Sequence, residues 1–419
     1  MSFIESVKNK LDRLVVWTEA VTRINLRRFF SGFVWLSSGQ AVGIFTSLLL
    51  ALGYSHFLTK ETYGTYKYIL AIFGILTVFS LPGMSDAAQR AVAQGRDGVY
   101  WKTFRKRIEW AAVGGMVSAL IGLYYFLHGN TLLAATFLAE SPFIVFIDAF
   151  TQYNAFLMGR QLFRESSLYN VLIQIVASII IFITVFFTNN VLILIVIYLT
   201  AFVAARGTAM LHVAKRFRLN TEHDDAALSY GAHMSVNNLI SMGTNQLDSV
   251  LLFHFLGPVA LAIYAFAEAA GDQAQKAFKL VTTAMAFPKF SATDTETLKK
   301  TLPRKILLSY TASAPLALVL AFLIPYLYRF LFPQYVASIP YAQVMALLLF
   351  FMPARFFSTA LMAKAPIRMI YISNIIGAVL LIVFLLTFIP LYGIWGAILA
   401  SFLTQILMSA TNIYLFYRM

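Results

Sequence analysis

The charged residues with the clearest chemical meaning form a row inside an apolar stretch in the second half of the chain. Glu268, Asp272, Lys276 and Lys279 follow one another at spacings of four, four and three. This spacing places them on one face of a helix. An ionisable group in hydrocarbon costs on the order of 3 kcal/mol, so this face must meet water or partners. We expect Asp272 to pair with Lys276, which leaves Glu268 as the better candidate for proton exchange.

A second polar set lies on the preceding apolar stretch. Asn245 and Asp248 are three residues apart on one helical face, with the acid near the end of the stretch. Carboxylate and amide oxygens at this spacing suit a hard monovalent cation. We therefore predict an ion or proton coupling site formed by Asp248, Asn245, Glu268 and Asp272, with the choice between Na⁺ and H⁺ left open.

Arg355 is the only basic residue buried in the tenth predicted span, 336–362. A guanidinium suits phosphate oxygens, but a long side chain in the inner third of the membrane can also extend to the aqueous surface. Further polar residues occur at helical spacings in other stretches. They could follow the hydroxyls of a sugar in a lumen or hydrogen-bond neighbouring helices. These lumen candidates are Glu140, Asp148, Gln152, Asn170, Gln174, Gln40 and Lys276.

The elements that carry these residues are apolar stretches long enough to cross a membrane. With 60% apolar residues, 12% charged residues and a mean hydropathy of +0.75, the chain cannot form a water-soluble domain. We predict an all-α polytopic membrane protein with about twelve transmembrane helices. Their predicted ranges are 29–55, 66–89, 108–127, 131–157, 168–187, 191–213, 230–256, 259–287, 304–331, 336–362, 367–389 and 391–416.

Basic residues fall in alternate gaps between these stretches. Of the 32 Lys and Arg residues, 28 lie on one side, which places both termini in the cytoplasm by the positive-inside rule. The net charge of +14 then implies anionic lipids as partners and no nucleic acid. At the cytoplasmic mouth, basic residues could set only the topology or also collect a pyrophosphate. These are Arg160, Arg164, Lys364 and Arg368.

An internal repeat divides the chain into two halves. His56–Leu58 recurs as His254–Leu256, and the pattern of Leu157–Arg164 recurs at Leu361–Arg368. Two six-span halves would be parallel repeats, the usual organisation of a transporter around a central cavity, although duplication could also merely build a large bundle. The predicted domains are a cytoplasmic amphipathic segment at 1–28, an N-terminal lobe at 29–217, a cytoplasmic linker at 218–228 and a C-terminal lobe at 229–419.

The first 28 residues are charged throughout and lack the apolar core of a cleavable signal peptide. Apolar residues at helical spacing predict an amphipathic helix in the membrane plane, which could be a simple anchor or a regulatory contact. The chain has no cysteine, which rules out disulfides and thiolate chemistry. We find no nucleophile, base and acid set, metal-ligand cluster or phosphate loop, so we expect no enzyme activity and no cofactor.

Several short motifs carry a family resemblance over almost the whole chain. They are Leu58–Tyr66, Gly83–Arg90, Met158–Arg160, Leu256–Pro258 with Tyr264, and Tyr392–Ala397. With these motifs the sequence resembles the polysaccharide flippases of the multidrug, oligosaccharidyl-lipid and polysaccharide exporter superfamily. Ile263 departs from the pattern, which often has glycine before the tyrosine.

The resemblance implies a flippase that moves an undecaprenyl-pyrophosphate-linked oligosaccharide from the cytoplasmic to the outer leaflet of a bacterial inner membrane. The oligosaccharide would be an O-antigen, capsule or exopolysaccharide repeat unit, moved by alternating access. Related exporters use an acid on the seventh span for cation coupling, so Asp248 would make the protein an antiporter.

Two other functions remain open at this point. The same architecture and intramembrane acids would suit a cation-coupled exporter of small lipophilic drugs. A non-transport alternative is a scaffold for polysaccharide polymerase or other assembly proteins. We expect a monomer.

Overall fold

A computed structural model describes residues 26–222, 224–281 and 286–419, and regular structure in these ranges is entirely helical. The all-α fold predicted from the sequence is therefore confirmed. The predicted amphipathic segment at 1–28 lies outside the described residues except for its last three positions.

The first half of the chain crosses the bundle six times. Two of the crossings are made of two α-helices joined by a short 3-10 turn, at Thr77–Ser80 and at Ala149–Thr151. The helices are α1 Leu26–Phe57, α2 Lys60–Leu76, α3 Gly83–Ala93, α4 Val99–Leu127, α5 Thr131–Ile147, α6 Gln152–Gly159, α7 Phe163–Phe187 and α8 Val191–Arg216.

The second half repeats this plan with more interruptions. Its tenth crossing consists of α13 and α14 with 3-10 segments at Pro333–Ser338 and Leu348–Ala354. The helices are α9 Asp225–Thr244, α10 Leu247–Val281, α11 Phe287–Ala292, α12 Thr295–Leu331, α13 Ile339–Leu347, α14 Arg355–Lys364, α15 Ile367–Tyr392 and α16 Ile394–Arg418.

The helix ends follow from local sequence. Thr59 caps α2 by accepting a hydrogen bond from the amide of Thr62, and Asn190 caps α8 by accepting from Leu192 and Ile193. A side-chain oxygen at this position satisfies an amide that has no partner within its own helix. These caps fix the turns between crossings one and two and between crossings five and six.

The turn at Gly257 decides the number of crossings. Eleven helical stretches in the described ranges are long and apolar enough to span a membrane, and one of them, Met242–Ala269, contains Gly257 with a φ of 82°. Asp248 and Tyr264 would be about 24 Å apart on a straight helix. Their side chains are 2.6 Å apart, so the chain reverses between them. The described residues therefore make twelve crossings, as the sequence predicts.

The crossings place the chain's turns on two sides of the bundle. We call the side that carries residues 94–98, 160–162, 217–222, 365–366 and Arg418 the basic side, and the other the opposite side. Helices of the first half pack mainly on one another, for example α4 on α5 and α1 on α7, and α15 packs on α16 in the second half.

The two halves meet closely at the opposite side. A Cβ on Gly64 would lie 1.8 Å from the carbonyl oxygen of Pro258, so only glycine allows α2 to approach α10 in this way. Next to this contact the ring of Tyr63 lies 5.0 Å from Phe266 and 6.1 Å from Tyr335. All three rings are buried. We call Tyr63, Gly64, Pro258, Phe266 and Tyr335 the aromatic seal.

At the basic side the halves meet through α3 and α9. A Cβ on Gly83 would lie 2.4 Å from the amide of Ser235, whose hydroxyl accepts a hydrogen bond from the Gly83 amide. The connection from α8 to α9 is held against the turn before α4. The Asp97 amide donates to Asn220 Oδ1 at 2.9 Å, and Arg96 forms an ion pair with Asp224 at 2.9 Å.

Candidate functional site

Two of the four predicted coupling residues, Asn245 and Glu268, line a polar cavity of about 250 Å³. Glu268 lies ten residues beyond Pro258, about 15 Å along α10, which is the middle of a ~30 Å hydrocarbon layer. The cavity is thus polar at a depth where lipid is fully apolar. Its polar wall consists of Asn245, Tyr264, Glu268, Gln275, Arg355, Ser401, Thr404 and Gln405.

Asp248 is positioned by the break between α9 and α10. It lies in the first turn of α10, where the helix dipole favours a carboxylate. The Tyr264 hydroxyl donates to Asp248 Oδ2 at 2.6 Å, and the Ser249 amide donates to Oδ1 at 2.7 Å. Since Tyr264 also lines the cavity, Asp248 is joined to it through one hydroxyl.

Arg355 is directed into the second half of the bundle. Its guanidinium donates to Gln275 Oε1 at 2.7 Å and is attracted by Asp272. The same side chain borders a second cavity of about 570 Å³ that extends toward the basic side along α14 and α16. Arg355 therefore stands between the two spaces. The pairing of Asp272 with Lys276 stays a prediction, because the Lys276 side chain lies outside the part that the structure describes.

Two hydroxyl groups add hydrogen-bonding capacity to the mid-membrane cavity. Ser401 donates to the Ala397 carbonyl within α16. The buried Thr404 hydroxyl has no hydrogen-bond partner among the described residues. A buried polar group without a partner is costly, so such a group in a cavity wall is suited to a ligand or to water.

The first half contains a charge cluster that the sequence analysis missed in part. Asp148, a predicted lumen residue, accepts a hydrogen bond from Ser80 at 3.1 Å and lies 3.9 Å from the guanidinium of Arg206. Arg107 is fully buried beside them and donates to the Ser80 carbonyl and to Thr151. Both arginines were counted among the basic residues of the cytoplasmic side, although Arg206 falls inside the predicted span 191–213 and lies within the continuous helix from Val191 to Arg216.

Lys67 is a further missed residue. Its place at the start of the predicted span 66–89 put it at the outer side, but the Thr59 cap starts α2 at Lys60, which puts Lys67 about 10 Å along the helix. There it lies near the carboxylate of Asp248 in the second half and near the hydroxyl of Tyr198 in the first. Lys67 therefore lies between the two halves of the bundle. The Thr59 cap was the sequence feature that could have located it.

Two predicted lumen residues do not line a lumen. Glu140 and Gln152 have no exposed surface. Glu140 accepts a hydrogen bond from Ser118 at 3.1 Å, and Gln152 donates to Thr103 at 2.7 Å. Both are held against α4. Glycines on α4, such as Gly115, allow α5 to come so close that any polar group at this contact is enclosed.

Two other lumen candidates of the first half, Gln174 and Asn170, join helices. Gln174 donates to Thr46 at 3.3 Å and so connects α7 with α1. Asn170 accepts from Tyr153 at 2.7 Å and keeps an exposed surface, whereas Gln40 is half-buried on α1. Of these, Asn170 has the surface with which a ligand could interact.

The basic residues predicted at the mouth lie on the basic side but do not form one cluster. Arg160 makes two hydrogen bonds to the buried carboxylate of Asp97, and Lys364 donates to the Ser291 carbonyl at 2.7 Å. Arg164 stacks over the ring of Trp35, and Arg368 is exposed. Arg160 is thus paired with Asp97, and collection of a pyrophosphate by these four residues stays a prediction.

Comparison with known families gives one family match. The model of the family described as "Polysaccharide biosynthesis protein" matches residues 29–294, which is more than half of the chain. By sequence, no curated protein matches the chain significantly.

Solved structures with the same fold are transporters. The chain resembles the inward-facing conformation of a multidrug resistance MATE family transporter of the MOP superfamily, with a TM-score of 0.66, 12% identity, and coverage of 92% of this chain and 97% of that one. An outward-facing MATE transporter gives a TM-score of 0.57, 14% identity, and coverage of 92% and 94%. The lipid II flippase MurJ in an inward closed conformation gives 0.60, 14% identity, and coverage of 92% and 87%. At these identities the likeness shows the fold alone.

Proposed function

Because the chain belongs to the polysaccharide biosynthesis protein family of the MOP exporter fold, we propose that it is a flippase for an undecaprenyl-pyrophosphate-linked oligosaccharide. The observation that carries the proposal is the set of cationic side chains inside the bundle. Lys67, Arg206 and Arg355 stand at membrane depth on helices of both halves. Cationic side chains at this depth are energetically costly and typically mark a substrate pathway. A diphosphate that crosses the membrane needs cationic groups to bind its oxygens.

The direction of transport follows from the charge of the two sides. We assign the basic side to the cytoplasm of a bacterial inner membrane, which puts both termini there. The carrier lipid would be loaded in the cytoplasmic leaflet and released in the outer one. In support of a lipid-linked substrate, one structural neighbour is itself a lipid II flippase. This step is an analogy of fold.

Alternating access gives each part of the site a task. The aromatic seal closes the opposite side while the substrate enters from the basic side, where the 570 Å³ cavity leads to Arg355. Arg355 and Lys67 would hold the diphosphate. Amide and hydroxyl groups such as Gln405 and Thr404 would hydrogen-bond the sugar. Opening of the seal would then release the substrate to the outer leaflet.

A proton or Na⁺ gradient would drive the cycle through the acids of the second half. Glu268 and Asp272 lie on the crossing after the Gly257 turn, and Asp248, on the crossing before it, is joined to the cavity by Tyr264. Binding of a cation to this group would change the charge opposite Lys67 and Arg355. That change would favour release of an anionic substrate.

A cation-coupled multidrug exporter is the second candidate, favoured by the MATE neighbours and the acidic cavity. The two functions differ in their cellular effects. For a flippase, deletion of the gene abolishes surface polysaccharide. Arg355→Ala fails to restore it, whereas Lys299→Ala, a change on α12 at a residue that lines neither cavity, restores it. For a drug exporter, the deletion strain becomes drug-sensitive with its surface glycan intact, and this result would contradict the proposal.

A further inference from the structure

An apolar groove of about 700 Å³ lies between α7 and α8. Its floor consists of buried side chains, among them Ile173, Ala201 and Ala209. Its rim on α7 is formed by Leu172 and Val176, which are 58% and 47% exposed. The groove is therefore an open indentation between the two helices, with apolar walls along its length.

The groove is longer than one leaflet. Along α8 it extends from Ile197 to His212, about 22 Å, while half of the hydrocarbon layer is about 15 Å. His212 lies four residues before the end of α8 at Arg216, about 6 Å from the basic side. The groove thus runs from near the basic surface past the middle of the membrane.

Cationic side chains flank the end of the groove at the basic side. Lys215 and Arg216 form the last turn of α8, and both are exposed. Arg216 is four residues beyond His212 and so lies on the same helix face. Glu165 is the acidic residue at the corresponding end of α7, and it is only half-buried. An apolar groove that ends at two cations has the complementary chemistry of an anionic lipid.

We propose that this groove holds the polyprenyl chain of the carrier lipid, with the diphosphate near Lys215 and Arg216, an inference that rests on the proposed function. A phospholipid acyl chain ends at the membrane midplane, whereas a polyprenyl chain is longer than a leaflet is thick. The groove continues beyond the midplane, so it fits the longer chain. Its binding would hold the lipid on the first half while the sugar enters the bundle.

Cross-linking from single cysteines tests the occupant, because the chain has no cysteine of its own. Val176→Cys points into the groove. The control Ile179→Cys lies on the same helix, is similarly exposed at 54%, and does not line it. Each variant is labelled with benzophenone maleimide and irradiated in phospholipid vesicles with radiolabelled polyprenyl diphosphate.

We expect at least tenfold more labelled lipid on residue 176 than on residue 179, and competition by unlabelled polyprenyl diphosphate. Equal labelling at both positions overturns the proposal. So does equal labelling of residue 176 by a radiolabelled anionic phospholipid, which would make the groove a general lipid contact.

A second pair of variants tests whether the groove itself is needed. Ala204→Phe fills the groove, while Leu211→Phe adds a ring on the same helix outside it. The first change should abolish cross-linking from residue 176 and the second should leave it unchanged. Equal cross-linking in both overturns the proposal. Cross-linking measures binding without transport. If residue 176 is labelled but the protein does not flip the substrate, the proposed function is contradicted and the proposed lipid groove is not.

Discussion

Substitution of Gly64 by alanine should open the aromatic seal. The added Cβ would lie 1.8 Å from the Pro258 carbonyl oxygen and 2.5 Å from its carbon. Carbon and oxygen atoms in ordinary contact are about 3.3 Å or more apart. The α2 and α10 backbones must therefore separate by about 1.5 Å at this point. Because the clash is with backbone atoms, no side-chain rotation relieves it.

The size of the effect follows from the cost of overpacking. Added methyl groups in a tight contact cost about 1–3 kcal/mol. If that cost falls only on the closed arrangement, the equilibrium shifts toward opening of the opposite side by about 5- to 150-fold. Gly43→Ala is the matched control, because its Cβ would meet nothing within 4 Å. Both changes carry the same gain in helix propensity, so their difference reports the clash.

Labelling of a buried cysteine measures this shift. Ala262 is fully buried and lies one turn before Phe266 on α10. In an Ala262→Cys background, a membrane-impermeant maleimide is added at the opposite side of reconstituted vesicles. We expect Gly64→Ala to label about 5- to 150-fold faster than the parent, and Gly43→Ala to label at the parental rate. A folded Gly64→Ala protein with the parental labelling rate would refute the closed seal.

Three further predictions concern single charges. Asp248→Asn keeps the shape next to Tyr264 and removes the charge, so initial flipping rates should no longer respond to an imposed Na⁺ or proton gradient; a retained response would contradict the coupling role. Arg355→Ala should weaken binding of a lipid diphosphate by about 2 kcal/mol, or roughly 30-fold, in a vesicle titration, and Arg355→Lys should have an intermediate affinity. Unchanged affinity would exclude a contact between Arg355 and the diphosphate. Asp97→Ala leaves Arg160 without its carboxylate and should lower the free energy of unfolding by about 2 kcal/mol, measured by denaturant titration in detergent. An unchanged unfolding midpoint would rule out this loss of stability.

The crossings were predictable because membrane insertion depends on local apolarity and length. The Leu256–Pro258 motif also located the reversal at Gly257, where a hydropathy criterion alone finds one stretch. The direction in which a polar side chain points was less predictable. Glu140 lies on a helix face that could have lined a lumen, but close packing against α4 buries it. That packing depends on residues far apart in sequence.

The repeat predicts equivalent positions but not equivalent chemistry. Tyr66 and Tyr264 occupy the same place in the two halves, and each has its hydroxyl at a side chain of the preceding crossing. In the first half that partner is Tyr54 at 3.3 Å, and in the second half it is Asp248 at 2.6 Å. The carboxylate is thus specific to the second half. This asymmetry supports placing ion coupling there.

The depth of charged residues was predicted wrongly where a helix extends beyond its apolar stretch. Lys67, Arg107 and Arg206 were left near the predicted ends, because a charged residue lowers local hydropathy. Each is inside a helix that continues past it. Partners such as the buried Ser80 and the half-buried Asp148 explain how the membrane interior accommodates the two arginines.

The most direct test of the account is transbilayer movement of a defined substrate by the purified protein. Vesicles are loaded with a fluorescent undecaprenyl-pyrophosphate-linked oligosaccharide, and a membrane-impermeant quencher reports the fraction in the outer leaflet. The account predicts protein-dependent movement that Arg355→Ala reduces and Lys299→Ala does not. Movement no faster than in protein-free vesicles, under an imposed gradient and with folded protein, would contradict it.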